Sequence, residues 1–196
     1  FSTLSVWLVK AGIQRSTVTM FGWAALAYSF KFFWSPLVDN LRLPFRNYGH
    51  RRTWLLLSQT MVIFSLLFIS QTDPSEMIIF TAIGAVLIAF SSATQDIVID
   101  AYRIESAPHY MQGPLSSMYI AGYRIAMLVG GAGSLWLASY LENDIYNNNV
   151  WRIVYLVMAS LMLVGIITTI FSNEPKIKKN NFLKINEHVK FLLVFI

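Results

Sequence analysis

Residues 53–72, TWLLLSQTMVIFSLLFISQT, run for twenty positions without a charged side chain. Coiled as a helix at 1.5 Å per residue, such a run covers about 30 Å, the thickness of the hydrocarbon core of a bilayer. Four further apolar runs, at 17–38, 77–101, 115–141 and 151–171, repeat the pattern with short polar links between them. In lipid a backbone must satisfy its own hydrogen bonds, so runs of this length are read as transmembrane helices. Composition agrees: 56% of the chain is hydrophobic and 13% charged, where a soluble domain carries about 25% charge. The expected fold is an all-α polytopic bundle.

Two shorter apolar pieces, 1–9 and 191–196, are too short to cross. They read as helices cut at either end, so the chain is expected to be a fragment with five complete spans between two partial ones. Residues 1–171 then form one N-terminal transmembrane bundle. Residues 172–190, with five lysines, form a hydrophilic linker, and 191–196 begin the next helix.

Orientation follows from the basic residues, because short cytoplasmic loops carry the excess of Lys and Arg. Segments 39–52, 102–114 and 172–190 hold ten of the fifteen; the opposite ends hold Lys10, Arg15 and Arg152. The three basic segments are therefore expected in the cytoplasm. This accounts for the net charge of +5 by topology and removes the case for a nucleic-acid partner. The chain has no cysteine, which excludes disulfides, thiolate metal sites and a cysteine nucleophile. His50, His109 and His188 fall in loops with no metal-ligand spacing among them, so a metal site is not expected. A membrane-embedded enzyme finds no nucleophile with a base beside it.

Residues 91–105, SSATQDIVIDAYRIE, put Asp96, Asp100 and Arg103 at the end of an apolar run. Charge in a membrane span is costly and marks a functional site by default. Positions three and four apart share a helix face, so these three form one polar stripe. Lys31 and Arg124 interrupt the neighbouring spans 17–38 and 115–141, whereas 53–72 carries no charge and 151–171 none after Arg152. Counted from the cytoplasmic ends, Lys31, Asp96 and Arg124 all lie roughly 12–15 Å deep. Asp100 lies one turn nearer the cytoplasm. Cations and carboxylates at one depth on three helices predict a polar layer facing a cavity. One reading is a structural Asp96–Arg124 ion pair. The other is a pathway in which cations bind an anionic or polar substrate and a carboxylate carries a proton. Two carboxylates four residues apart disfavour joint ionisation, which suits the second reading.

Span 115–141 also carries Gly122, Ala126, Gly130, Ser134 and Ala138 at four-residue spacing. Small residues so placed let two helices approach closely in lipid.

Several blocks resemble the major facilitator superfamily. Asp39 followed by Gly49-x-Arg51-Arg52 looks like its loop signature between helices two and three, with a longer spacing between the aspartate and the glycine. Within that superfamily the chain is similar to the AmpG-type muropeptide permeases. The matching blocks are residues 26–37 (LAYSFKFFWSPL), 51–59 (RRTWLLLSQ), 92–102 (SATQDIVIDAY, with Gln95) and 122–131 (GYRIAMLVGG). The resemblance implies the N-terminal six-helix half of a transporter in the bacterial inner membrane. It implies import of anhydro-muropeptides for peptidoglycan recycling, driven by the proton gradient and using no cofactor, with the second half needed for activity. It further implies that helices two, four and five border the cavity. Substrate and protons would meet Lys31, Gln95, Asp96, Asp100, Arg103 and Arg124, while Asp39, Gly49, Arg51 and Arg52 would form a cytoplasmic gate. Acetyl-coenzyme A transporters share the Thr-Gln-Asp block and stand as the alternative substrate class.

Overall fold

The computed structural model describes residues 2–41, 43, 49–142 and 146–175. The expected linker from residue 176 onward, the helix start at 191–196, and Arg42 and Arg46 lie outside the described residues. Among those described, all regular structure is helical.

Helix α1 (Ser2–Lys10) leads through a short turn, with Gly12 at φ +79°, into a run of helical pieces. That run comprises α2 (Arg15–Phe21), a 3₁₀ turn at Gly22–Ala25, α3 (Leu26–Phe30), a second 3₁₀ turn at Lys31–Phe33, and α4 (Ser35–Asn40). The expected 17–38 span is thus a series of short helical pieces rather than one continuous helix. Pro36 is one cause: it lacks an amide hydrogen and its ring crowds the carbonyl four residues earlier, so the helix restarts with Pro36 in its first turn.

The remaining elements are long. Helix α5 spans His50–Ser70 and α6 spans Ile78–Ser106. A 3₁₀ turn at His109–Met111 leads into α7 (Gln112–Met127), a π-helical turn (Leu128–Gly133) and α8 (Ser134–Leu141). Helix α9 spans Asn148–Phe171, with the Asn147 side chain accepting from the Asn149 amide at its start. Among the described residues, four helical stretches are long and apolar enough to cross a membrane: His50–Ser70, Ile78–Ser106, His109–Leu141 and Asn148–Phe171.

The segment 102–114, expected as a loop, contracts to Ala107 and Pro108. Proline pushes the residue before it into extended backbone, and Ala107 sits at φ −144°, ψ 153°. Gly113 and Pro114 do not break α7, because they fall in its first turn, where amides have no partner inside the helix. Arg51 and Arg52 likewise belong to the first turn of α5 rather than to a loop.

Helix α5 packs between α6 and α9. Gly84 permits the close approach to α6: a Cβ there would stand 2.5 Å from Cγ1 of Ile69. Gln59 and Thr169 exchange hydrogen bonds of 2.9 and 3.1 Å between α5 and α9. One apolar core gathers Trp7, Leu8, Ile69, Trp151 and Val154 at the α1 end of the bundle. A second gathers Val38, Trp54, Leu55, Ile97 and Val98 at the opposite end.

The small-residue stripe does not act as one surface. A Cβ on Gly122 would meet open space, Gly130 faces Met158 of α9, and Ser134 bonds Thr3 of α1 at 2.8 Å. The π turn at Leu128–Gly133 inserts extra backbone and shifts the register midway along the four-residue spacing.

Candidate functional site

Asp100 on α6 is the centre of the charged layer. Its carboxylate lies 4.0 Å from Nζ of Lys31, in the second 3₁₀ turn, and 3.5 Å from Nη2 of Arg103, one turn along α6. Arg103 also donates to the Ser116 hydroxyl at 2.8 Å and sits over the Tyr119 ring, 5.1 Å from its centroid. This one arginine therefore connects α6 to α7. Its Nε is buried and has no hydrogen-bond partner among the described residues.

Asp96 stands one turn away, half-buried, and makes no ion pair among the described residues. Tyr28 and Tyr119 lie close enough to interact electrostatically with it and with Tyr123. Sequence reasoning about charge passed over these three phenols. A signal existed: Tyr28 is three residues from Lys31, and Tyr119 and Tyr123 are four apart on one helix face. Gln95 is half-buried on the same helix. Trp34 closes the layer beside Lys31, donating from Nε1 to Thr94 at 3.2 Å and packing against Phe90.

Arg124 departs from the expected arrangement. It is exposed on α7 and has no ion-pair partner among the described residues, so an Asp96–Arg124 pair does not form. Arg103 of α6 touches α7 at Ser116 and Tyr119, and Arg124 lies more than one turn beyond Tyr119.

A second charged group forms where α4, α5 and α6 end. Arg51 donates from Nη1 to Asp39 at 2.6 Å, and from Nε and Nη2 to the two oxygens of Glu105 at 2.9 and 2.5 Å. This fork-to-fork arrangement gives an arginine–carboxylate contact its direction. Trp54 donates to the Leu41 carbonyl at 2.9 Å beside it. Gly49, at φ +86°, starts α5 in backbone that side-chain-bearing residues rarely adopt. Arg52 points elsewhere, its guanidinium donating to the carbonyls of Thr169 and Ile170 at 3.2 and 2.5 Å. The predicted Asp39–Arg51–Arg52 group is thus an Asp39–Arg51–Glu105 group, with Arg52 at the end of α9. Glu105 closes the stretch 91–105, yet no local rule assigns it to Arg51.

At the opposite end, the Tyr146 hydroxyl accepts from Trp7 at 3.2 Å and meets Asp73 and Asn148 at 3.3 Å each. Burial above all, with the charge of Asp73, pushes its phenol up to about 12. Lys10 and Glu142 form an ion pair nearby. Both contacts fasten α1 to the segment between α8 and α9. Among the described residues no group of three or more His, Cys, Asp or Glu is placed to hold a metal ion.

Comparison with known proteins places these features in a family. Residues 1–193 match the sequence profile of the Major Facilitator Superfamily. The chain is 37% identical over 196 residues to "Putative transporter AmpG 4" of Rickettsia conorii, covering 98% of this chain and 46% of that protein. It is 39% identical over 178 residues to the Rickettsia felis protein of the same name, covering 90% and 42%. It is 36% identical over 173 residues to the "Anhydromuropeptide permease" of Escherichia coli K12, covering 88% and 33%. The chain therefore spans less than half the length of these relatives. Apolar helices long enough to cross a bilayer, charge gathered at two levels of the bundle, and a profile match over nearly every residue lead to one conclusion: this chain is a multi-pass membrane protein that belongs to the major facilitator superfamily of transporters.

Proposed function

We propose that this chain is the N-terminal, six-helix half of a proton-coupled transporter that imports anhydro-muropeptides across the bacterial inner membrane. The series of helical pieces at residues 15–40 would count as the second helix of that half and α1 as part of the first. The proposed orientation puts the Arg51 group in the cytoplasm. The observation that carries the reading is the charged layer at α6: Asp96, Asp100 and Arg103 lie within a stretch long and apolar enough to cross a membrane, and Lys31 reaches Asp100 from the 3₁₀ turn beside it.

The two carboxylates divide the work. Asp100 holds Lys31 and Arg103, so protonating it would strand two cations in the membrane. Asp96 makes no ion pair among the described residues, though Lys31 acts on it through space, so protonating it breaks no direct contact to a cation. Asp96 is therefore the proton carrier, and Asp100 sets the positions of Lys31 and Arg103. The buried, unclaimed Nε of Arg103 supplies a donor for a polar substrate, and Arg124 and Gln95 stand further along the same pathway. The name of the Escherichia coli relative supports muropeptide as the cargo. The second half of the transporter completes the cavity.

The test is uptake of labelled anhydro-muropeptide into membrane vesicles, with and without a protonophore, by a full-length transporter carrying this half. Asp96→Asn is expected to abolish gradient-driven uptake while substrate exchange at equal pH persists. Asp100→Asn is expected to weaken both. Normal gradient-driven uptake by Asp96→Asn would remove Asp96 from the proton path.

A further inference from the structure

The start of α5 and the end of α9 cap each other. The first amides of a helix and its last carbonyls have no partners within it. At α5, the amides of Arg51 and Arg52 donate to the two oxygens of the Glu174 carboxylate, at 2.8 and 3.1 Å. At α9, the carbonyls of Thr169 and Ile170 accept from the Arg52 guanidinium. Each charge has the sign the helix end favours, an anion at the N-terminus and a cation at the C-terminus. Gly49 leaves room for this exchange, since a Cβ there would stand 2.3–2.5 Å from the side chain of Glu174. One residue earlier, the Asn173 carbonyl accepts from the Tyr102 hydroxyl of α6 at 2.6 Å, and Pro175 is buried just after. Two consecutive residues beyond α9 are therefore fastened to two different helices.

The residue whose amide Glu174 holds is also the residue whose guanidinium holds Asp39 and Glu105. We propose that Asn173–Glu174 is a strap through which the chain beyond α9 controls the Arg51 clasp, with Glu174 as its positioning residue. The carboxylate fixes the first turn of α5, and that turn sets where the Arg51 fork reaches α4 and α6. Displacing the strap loosens the first turn and releases Asp39. This holds whatever cargo the transporter carries, because no residue of the charged layer on α6 takes part.

Hydrogen–deuterium exchange of the whole chain in lipid nanodiscs tests the strap, using Glu174→Ala, Glu174→Gln and Gly49→Ala. Glu174→Ala is expected to speed exchange tenfold or more in peptides covering residues 50–53, and also in 35–41 and 100–106, with 150–165 unchanged. Glu174→Gln keeps one acceptor without the charge and should fall between wild type and alanine. Gly49→Ala pushes the carboxylate out with its charge intact and should reproduce the alanine footprint. A change confined to 50–53 would make Glu174 a helix cap and nothing more, overturning the strap. No change in any of the three variants would overturn it equally. Should Glu174→Ala fail to fold, the same comparison is made with Glu174→Gln and Gly49→Ala.

Discussion

Arg51 commits three of its N–H donors to two carboxylates while its side chain is only 8% exposed. The partners differ: the Asp39 side chain is 48% exposed and that of Glu105 23%. Water screens the first contact more than the second, and exposed ion pairs contribute little, about 0–1 kcal/mol. Arg51→Ala leaves both acids without their cation and is expected to cost roughly 2–3 kcal/mol, below the usual range for a fully buried pair. Glu105→Ala should cost about 1–2 kcal/mol and Asp39→Ala under about 1 kcal/mol. Urea unfolding followed by tryptophan fluorescence in mild detergent gives the ranking. Asp39→Ala costing more than Glu105→Ala would contradict it.

Helix pairing here rests on two different devices. Between α5 and α6 it is the absence of a side chain at Gly84, with Ile69 filling the space. Gly84→Val forces the helices apart and is expected to destabilise by about 1–3 kcal/mol; shortening Ile69 to Ala in the same chain should recover part of that. A thermal melt showing Gly84→Val unchanged would mean that the two helices do not meet there. Between α5 and α9 the device is the buried Gln59–Thr169 exchange. Interhelical hydrogen bonds in lipid average about 0.6 kcal/mol, and leaving a buried amide unpaired costs more. Thr169→Val should therefore lower stability by about 1–2 kcal/mol, whereas Thr169→Ser should stay close to wild type.

In the whole molecule, burial is uneven. Half of the most apolar window of α5 is buried, but only 6% of the corresponding window of His109–Leu141. Large side chains such as Met118, Tyr123, Trp136 and Tyr140 stand exposed along it. On the proposed function, such a face is where a second half of the transporter would pack, the chain spanning less than half the length of its relatives. The native chain has no cysteine, so Met118→Cys gives a single probe. Alkylation at that cysteine is expected to fall several-fold when the second half of the transporter is co-expressed; equal labelling with and without it would assign this face to lipid.

The sequence by itself determined what lipid imposes locally. Runs of about 20 apolar residues must coil as helices, whatever they pack against, and 53–72 and 151–171 were legible on that ground alone. Charges were legible as exceptions in the same way, which is how Asp96, Asp100, Lys31 and Arg103 came to notice. The tertiary structure decided the pairings. Lys31 pairs with Asp100 while also acting on Asp96, Arg51 takes Glu105, and Arg52 reaches α9. Glu174 reaches across more than 120 positions to cap α5. Each of these depends on the rotation and axial register of one helix against another. For these helices the close approach at Gly84 and the breaks before α3 and α4 fix that geometry. A rotation of one residue, about 100° on a helix, moves a side chain to a different neighbour while leaving the apolar run that encodes the helix unchanged.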